Sequence, residues 1–334
     1  MGSALPADNT SRKPAPTPSR AIFVVGAGRS GTSAITRALL ALGVHLGDNL
    51  KAPTEKNPTG FFEDRDLLGI AKRVRSRLDL RAESVSLIEP EQWSLQALEP
   101  LVEEAAQSIS QRFVRYPIWG FKYAQTLRML PFWEQVAERA RIALSFVVAA
   151  RNPLSVAHSR AKLDPLRGLQ EKTDIEWLVN VVPYFQRLGQ YPFVVVDYDL
   201  LMAEPRQQLE RLGRKLTIPL DDRARQSTAE YVSSFLRPGM RHTRFSEADL
   251  DREPRLNPLT RDAYRWLWRL ANDLVDPRDP ELWNDWARIE GQLRAMAPVL
   301  RHVDYLEAEV RRLRRGTWSR AVAKLFGGRG GKTD

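Results

Sequence analysis

Ile22-Phe23-Val24-Val25-Gly26-Ala27-Gly28-Arg29-Ser30-Gly31-Thr32-Ser33 is the stretch on which the fold of this chain turns. Its first four residues are a continuous β-branched and aromatic run, the form taken by a strand buried on both faces. Gly26 ends the run. Over residues 33–42 the apolar Ile35, Leu39 and Leu42 recur at helical spacing, and Gly43 is a stop signal. The unit is a strand, a glycine-rich turn and a helix, where backbone N–H groups and the positive helix end can cradle phosphate.

Two glycine motifs compete for the turn. Gly26, Gly28 and Gly31 fit the dinucleotide pattern G-x-G-x-x-G, which also requires a second strand ending in an acid about 20 residues on. Asp48 has that spacing, but Leu46-Gly47-Asp48-Asn49 does not read as a buried strand. Gly26 and Gly31 also have the spacing of the nucleoside-triphosphate loop, yet Thr32 stands where that motif needs lysine. The cation is instead Arg29, with hydroxyls at Ser30, Thr32 and Ser33. That grouping suits a phosphate ester or anhydride, whereas a turn that merely joins strand to helix has no need of it.

Residues 1–20 are polar and broken by Pro6, Pro14, Pro16 and Pro18, which predicts a disordered tail. Helical patterns run over residues 64–80 and 94–113, and apolar strands over 118–123, 142–150 and 193–196. Short strands alternating with helices predict an α/β fold with a mostly parallel central sheet flanked by helices. After residue 231 the spacing is helical, notably Tyr264, Leu267, Leu270 and Leu274, thickened by Trp266 and Trp268. Val303, Leu306, Val310 and Leu313 alternate steps of three and four, as in a short coiled-coil seam that would permit a homodimer; docking of this helix on the body is the alternative. The expected division is a tail (1–20), an α/β domain (21–245), helices packed on it (246–300) and a basic coiled-coil-like tail (301–334).

The chain has 334 residues, 43% of them hydrophobic, enough to bury a large core. Cysteine is absent, which removes disulfides, thiolate metal sites and a cysteine nucleophile. His45, His158, His242 and His302 lack the close spacing of local zinc motifs, so no metal is expected. No window of about 18 apolar residues and no secretory signal is found, so a cytoplasmic protein is expected. The net charge of +10 points to an anionic partner. Residues 301–334 hold nine Lys/Arg against four Asp/Glu, which leaves peripheral contact with an anionic membrane open.

A second strand-to-helix elbow lies at Arg151-Asn152-Pro153-Leu154-Ser155-Val156-Ala157-His158-Ser159. Arg151 at the strand end and Ser159 two turns into the helix are placed to meet one phosphate. Taken together, the two elbows resemble the sulfotransferases that use 3′-phosphoadenosine 5′-phosphosulfate, in their bacterial branch. The resemblance implies that Gly28, Arg29, Ser30, Gly31, Thr32 and Ser33 hold the 5′-phosphosulfate of this co-substrate, and that Arg151 and Ser159 hold its 3′-phosphate. Asn57-Pro58-Thr59-Gly60-Phe61-Phe62-Glu63, Trp119-Gly120-Phe121-Lys122 and Val196-Asp197-Tyr198-Asp199-Leu200-Leu201 are similar in kind and order, and the likeness covers residues 21–245. Two segments depart from the family. Lys122-Tyr123-Ala124-Gln125 stands where bacterial relatives often carry Lys-Asp-Pro-Arg, so only the lysine carries over. The late glycine-rich loop is missing, and Arg237 or Arg241 in Phe235-Leu236-Arg237-Pro238-Gly239-Met240-Arg241 would reach phosphate in its place.

The implied fold is the P-loop NTPase-like sulfotransferase fold with a C-terminal helical extension. The implied reaction moves a sulfuryl group to a sugar- or lipid-type hydroxyl, preferentially on a glycan or glycolipid, with no nucleic acid as partner. Such transfer needs in-line placement, cations on the departing oxygen and a base for the acceptor. Arg29 and Lys122 are the expected cations. Glu63 is the expected base, fixed by burial of Phe61 and Phe62, with Asp64 and His45 behind it. The alternative for Glu63 and Asp64 is a pair of first-turn helix acids. Residues 47–60 and the helices over 65–112 are expected to wall the acceptor site, and Arg29 and Arg151 to stand outside the core. The rival readings are a P-loop kinase of a small metabolite, whose loop lysine is missing, and a nucleic-acid or membrane binder built on the basic tail.

Overall fold

Short apolar strands each followed by a helix pair in parallel, because the helix carries the chain back over the sheet before the next strand begins. The computed structural model, which describes residues 19–54, 60–94, 96–236 and 245–326 with side chains to residue 314, has this arrangement. Strands β1 (Arg20–Val25), β2 (Ile118–Lys122), β3 (Ala143–Ala150) and β4 (Phe193–Asp197) form an all-parallel sheet in the order β2-β1-β3-β4. The helices are α1 (Thr32–Ala41), α2 (Arg65–Arg77), α3 (Glu99–Arg112), α4 (Leu130–Ala140), α5 (Pro153–Ala161), α6 (Gln170–Val181), α7 (Tyr198–Ala203), α8 (Pro205–Lys215), α9 (Asp222–Glu230), α10 (Pro258–Ala271), α11 (Pro280–Ala295) and α12 (Ala297–Phe326). It is an α/β fold with a parallel central sheet flanked by helices, and with helices continuing beyond the sheet.

The two-residue period of a strand divides its side chains between two cores. Ile22, Val24, Val147, Ala149, Val194 and Val196 face α1, α7 and α8. Phe23, Val25, Phe146, Val148 and Val195 face the other way, against α4, α6 and α10. Parallel strands also end on the same edge, which brings the Gly26 turn, Lys122, Arg151 and Tyr198 into one neighbourhood. Two glycines fit the first turn to that edge. Gly26 has φ 129°, and a Cβ there would lie 2.5 Å from the Ala149 carbonyl oxygen; Gly31 has φ 82°, and its Cβ would lie 2.2 Å from the Tyr198 ring.

Several expectations need correction. The sheet starts inside the predicted tail: Arg20 pairs with Ile118 and Ala143, and Ser19 is buried, while residues 1–18 lie outside the described ones. The helix predicted over 94–113 begins only at Glu99, because Pro100 favours a helix start, and short 3₁₀ turns precede it. Leu274 leaves the α10 stripe, since the helix ends at Ala271, Asp273 takes φ 54°, and Leu274 is exposed. Trp266 instead anchors α10 in a ring cluster with Phe185, Trp283 and Trp286, at centroid distances of 4.3–6.2 Å.

Helix α12 separates its residues by face. Leu300 is buried and Val303 half-buried, while Leu306, Val310 and Leu313 are exposed. Its polar side clasps the body: the Asp304 carboxylate accepts from the Val85 amide (2.9 Å), the Ser86 amide (2.9 Å) and the Ser86 hydroxyl (2.5 Å), and Glu307 pairs with Lys172. No helix among the described residues is long and apolar enough to cross a membrane.

Candidate functional site

The first elbow is built to receive an anion. Helix α1 has Gly31 as N-cap and, among the described residues, no side-chain cap, whereas α2 is capped by the Asp64 carboxylate. The free amides of an uncapped helix start carry partial positive charge. Ser30 Oγ is buried without a hydrogen-bond partner among the described residues, a costly state for a hydroxyl unless a ligand meets it. Nothing lies within 4 Å of where a Gly28 Cβ would be, so the turn is open from outside. These donors fit a phosphate-type group. Arg29 stands in the left-handed region at φ 74°, a conformation that costs a non-glycine residue about 1–3 kcal/mol and is typical of functional turns.

The second elbow meets the first. Pro153 opens α5, and the Asn152 carboxamide oxygen accepts from the Leu154 amide at 3.0 Å. Arg29 Nε donates to Ser159 Oγ at 3.1 Å, and Arg151 Nη1 donates to the Arg29 carbonyl at 3.1 Å. The Arg151 guanidinium lies 4.5 Å from the centroid of the Tyr198 ring, the same ring that packs on Gly31. Arg151 is therefore buried, 5% exposed, and the expectation that it stands outside the core fails because Tyr198 and the Arg29 backbone cover it. Arg29 itself is exposed at the surface of the turn. Partial desolvation of its guanidinium, which lies against Ser159, then the like charge of Arg151, pull that group below its ordinary value.

Beside Ser33 lies an ion pair. Lys122 Nζ is 2.9 Å from Glu63 Oε1 and 3.4 Å from Ser33 Oγ, and Lys51 Nζ is 3.7 Å from Glu63 Oε2. Burial pushes the Lys122 ammonium below its ordinary value, opposed by the attraction of Glu63. Phe61 and Phe62 are only half-buried, with Phe62 against the Phe235 ring at 6.2 Å, so ring packing alone does not position Glu63. The backbone does so: Lys51 N donates to the Glu63 carbonyl (2.8 Å), Arg65 N donates to the Asn49 carbonyl (2.8 Å), and Phe62 is held at φ 54°. Asp64 is removed as a candidate base, because it caps α2, is 1% exposed and pairs with Arg112 at 2.6 Å. His45 is also occupied: its ring stacks on Tyr116 at 3.5 Å and its Nδ1 accepts from the Gly47 amide.

A cavity of about 680 Å³ opens in front of these groups. Gly28, Arg29 and Glu63 line it, while Lys122 and Ser159 stand behind it, each touching a lining residue. The expected wall from residues 47–60 and α2 is present in Lys51, Gly60 being buried beside Phe61, and in Leu68, Lys72 and Arg75; α3 does not contribute. The opposite wall comes from α5 and α6, where Arg160 pairs with Glu176, a pair that sequence reasoning missed. Tyr123 and Gln125 were missed too. Their segment departs from the family pattern, and in the structure Tyr123 Oη donates to Gln125 Oε1 at 2.7 Å while both accept from Arg75. Arg237 and Arg241 lie outside the described residues, as do Asn57, Pro58 and Thr59. Among the described residues no group of three or more His, Asp or Glu side chains gathers to hold a metal ion.

Comparison with known proteins adds an independent finding. No match to a curated protein was found. Among solved structures, the sulfotransferase STF1 of Mycobacterium tuberculosis is 18% identical with a TM-score of 0.36, covering 64% of this chain and 71% of its own. The sulfotransferase STF9 of Mycobacterium avium is 16% identical with a TM-score of 0.39, covering 78% of each chain. The sulfotransferase domain of the Synechococcus olefin synthase is 15% identical with a TM-score of 0.36, covering 83% of this chain and 95% of its own. The sulfotransferase family model matches residues 21–222, more than half of the chain and the whole of the region that carries both elbows. The protein therefore belongs to the sulfotransferase family, and is an enzyme that uses 3′-phosphoadenosine 5′-phosphosulfate to sulfate a hydroxyl-bearing acceptor.

Proposed function

We propose that the two elbows bind the two phosphorylated ends of 3′-phosphoadenosine 5′-phosphosulfate, and that the acceptor is a hydroxyl of a glycan or glycolipid. The contact between elbows carries this reading: Arg29 reaches Ser159 at 3.1 Å while Arg151 reaches the Arg29 carbonyl at 3.1 Å. When bound, the co-substrate supplies a sulfuryl group already activated by its link to phosphate. Gly28, Ser30, Gly31, Thr32 and Ser33 offer amides and hydroxyls to the 5′ end. Arg151 and Ser159 serve the 3′-phosphate, with Arg237 or Arg241 adding charge from the late loop. Arg29 neutralises anionic charge between the two ends.

Glu63 accepts the proton of the acceptor hydroxyl, and Lys122 stabilises charge gathering on the departing oxygen from its place between Glu63 and Ser33. The cavity wall sets charged and amide side chains among Phe61, Leu68, Tyr123 and Leu163, a mixture that suits a sugar ring with polar edges and apolar faces. Thermal unfolding tests the nucleotide reading. Adenosine 3′,5′-bisphosphate at a hundred times its Kd should stabilise the protein by about 2.7 kcal/mol, and ATP with Mg²⁺ should not. The reverse result would favour a kinase and overturn the proposal.

A further inference from the structure

The cavity in front of Glu63 does not end there. A second cavity of about 630 Å³ shares Lys72, Arg75 and Ala82 with it and continues to Arg81, Arg311 and Arg312. Leu68, Lys72 and Arg75 follow one face of α2 at steps of four and three, so that face alone extends the site by about 10 Å. The loop after α2, residues 80–86, forms the next part of the groove, and α12 holds it there through Asp304.

The charges along this track are unbalanced in a specific way. Among the described residues no carboxylate comes within 4.0 Å of the charged nitrogens of Lys72, Arg75 or Arg81. Elsewhere on α2, Arg73 is paired with Glu104 at 2.5 Å, and Arg112 at the end of α3 is shared among Asp48, Asp64 and Asp66. Arg75 spends Nη1 on Tyr123 and Gln125, and its Nε is buried without a partner; Arg81 donates Nη2 to the Asp304 carbonyl, and its Nε is likewise buried without one. Lys72 is exposed. The second cavity has a single acid on its wall, Glu83, against five bases, and Glu83 is taken by Arg311. Phe61 at the inner end offers a ring face for a sugar, already covered on one side by the Lys51 ammonium at 3.7 Å.

We infer that the acceptor is an extended anionic saccharide, with the reacting hydroxyl at Glu63 and its carboxylate, sulfate or phosphate groups lying along Lys72, Arg75 and Arg81. This rests on the sulfotransferase reading of the site and adds a substrate class to it. An anion placed along the track would meet cations that no protein carboxylate neutralises, whereas a neutral chain would leave them facing one another.

The test uses the full chain saturated with adenosine 3′,5′-bisphosphate, so that nucleotide binding is verified before any saccharide is added. Failure at that first step rejects the proposed function itself. The probes are an octasaccharide with a uronate in every second ring, a neutral N-acetylglucosamine octasaccharide, and phosphatidylglycerol vesicles. The acidic saccharide should bind at least tenfold tighter than the neutral one. Lys72→Gln combined with Arg81→Gln should weaken it at least tenfold while bisphosphate affinity, the check on folding, stays unchanged. Equal affinity for the two saccharides, or an unaltered double variant, overturns the inference. Binding to the vesicles with none to the acidic saccharide also overturns it, in favour of a membrane surface.

Discussion

At the scale of residues, the proposed chemistry rests on Glu63 and Lys122, a carboxylate and an ammonium 2.9 Å apart at the edge of the cavity. Glu63→Gln keeps the shape and removes the proposed base, so turnover should fall about 100- to 10,000-fold with bisphosphate affinity unchanged. A steady-state assay paired with nucleotide titration checks this, and near-normal turnover would move the base elsewhere. Lys122 carries a pH signature. Burial sets its ammonium below the ordinary 10.5, so the cation is lost earlier as pH rises, and the alkaline limb of turnover should fall below that value. In Lys122→Arg the limb should move upward, since a guanidinium keeps its proton; an unmoved limb would show that another group titrates. The choice of Glu63 over Asp64 was only half legible in the sequence. Adjacent acids before a helix look alike until one is seen to cap the helix and hold Arg112, as Asp64 does.

At the scale of elements, strands were the most legible, because a run such as Phe146-Val147-Val148-Ala149-Ala150 buried on both faces has few other readings. The helices beyond the sheet were less so, since their positions depend on buried polar contacts with distant parts of the chain. Helix α10 is tied down by two such contacts: Asp174 of α6 accepts from the Asn257 amide at 2.8 Å, and Asp197 at the end of β4 accepts from the Tyr264 hydroxyl at 3.1 Å. Burial raises the Asp174 carboxyl from 3.8 to about 7 and that of Asp197 to about 6. A folded-state value above the unfolded one means that the folded state holds the proton more tightly. The resulting contribution to stability is complete below 3.8 and is lost as pH rises through about 7. Asp174→Asn, a neutral side chain of the same shape, should therefore melt higher than the parent at pH values above 7 and lose this advantage near pH 4. Melting curves at both ends check this, and a variant less stable than the parent at high pH would show that the carboxylate is stabilising there.

At the scale of the whole molecule, a parallel sheet gathers strand ends that are far apart in sequence, and the candidate site follows from that topology. The glycine turn and the Arg-to-Ser spacing of the second elbow were legible because both are local. The burial of Arg151 was not, because its cover is Tyr198, which follows β4, the next strand in chain order, and packs on Gly31 as well. The groove through α2 to α12 was equally hidden, since residues 72 and 311 meet only after folding. If the elbows hold opposite ends of one nucleotide, calorimetric titration will separate adenosine 3′,5′-bisphosphate from adenosine 5′-monophosphate. The bisphosphate should bind at least 100-fold tighter, and Ser159→Ala should shrink that ratio at least tenfold while leaving monophosphate affinity as it was. Equal affinity for the two nucleotides, or a ratio untouched by Ser159→Ala, would contradict it.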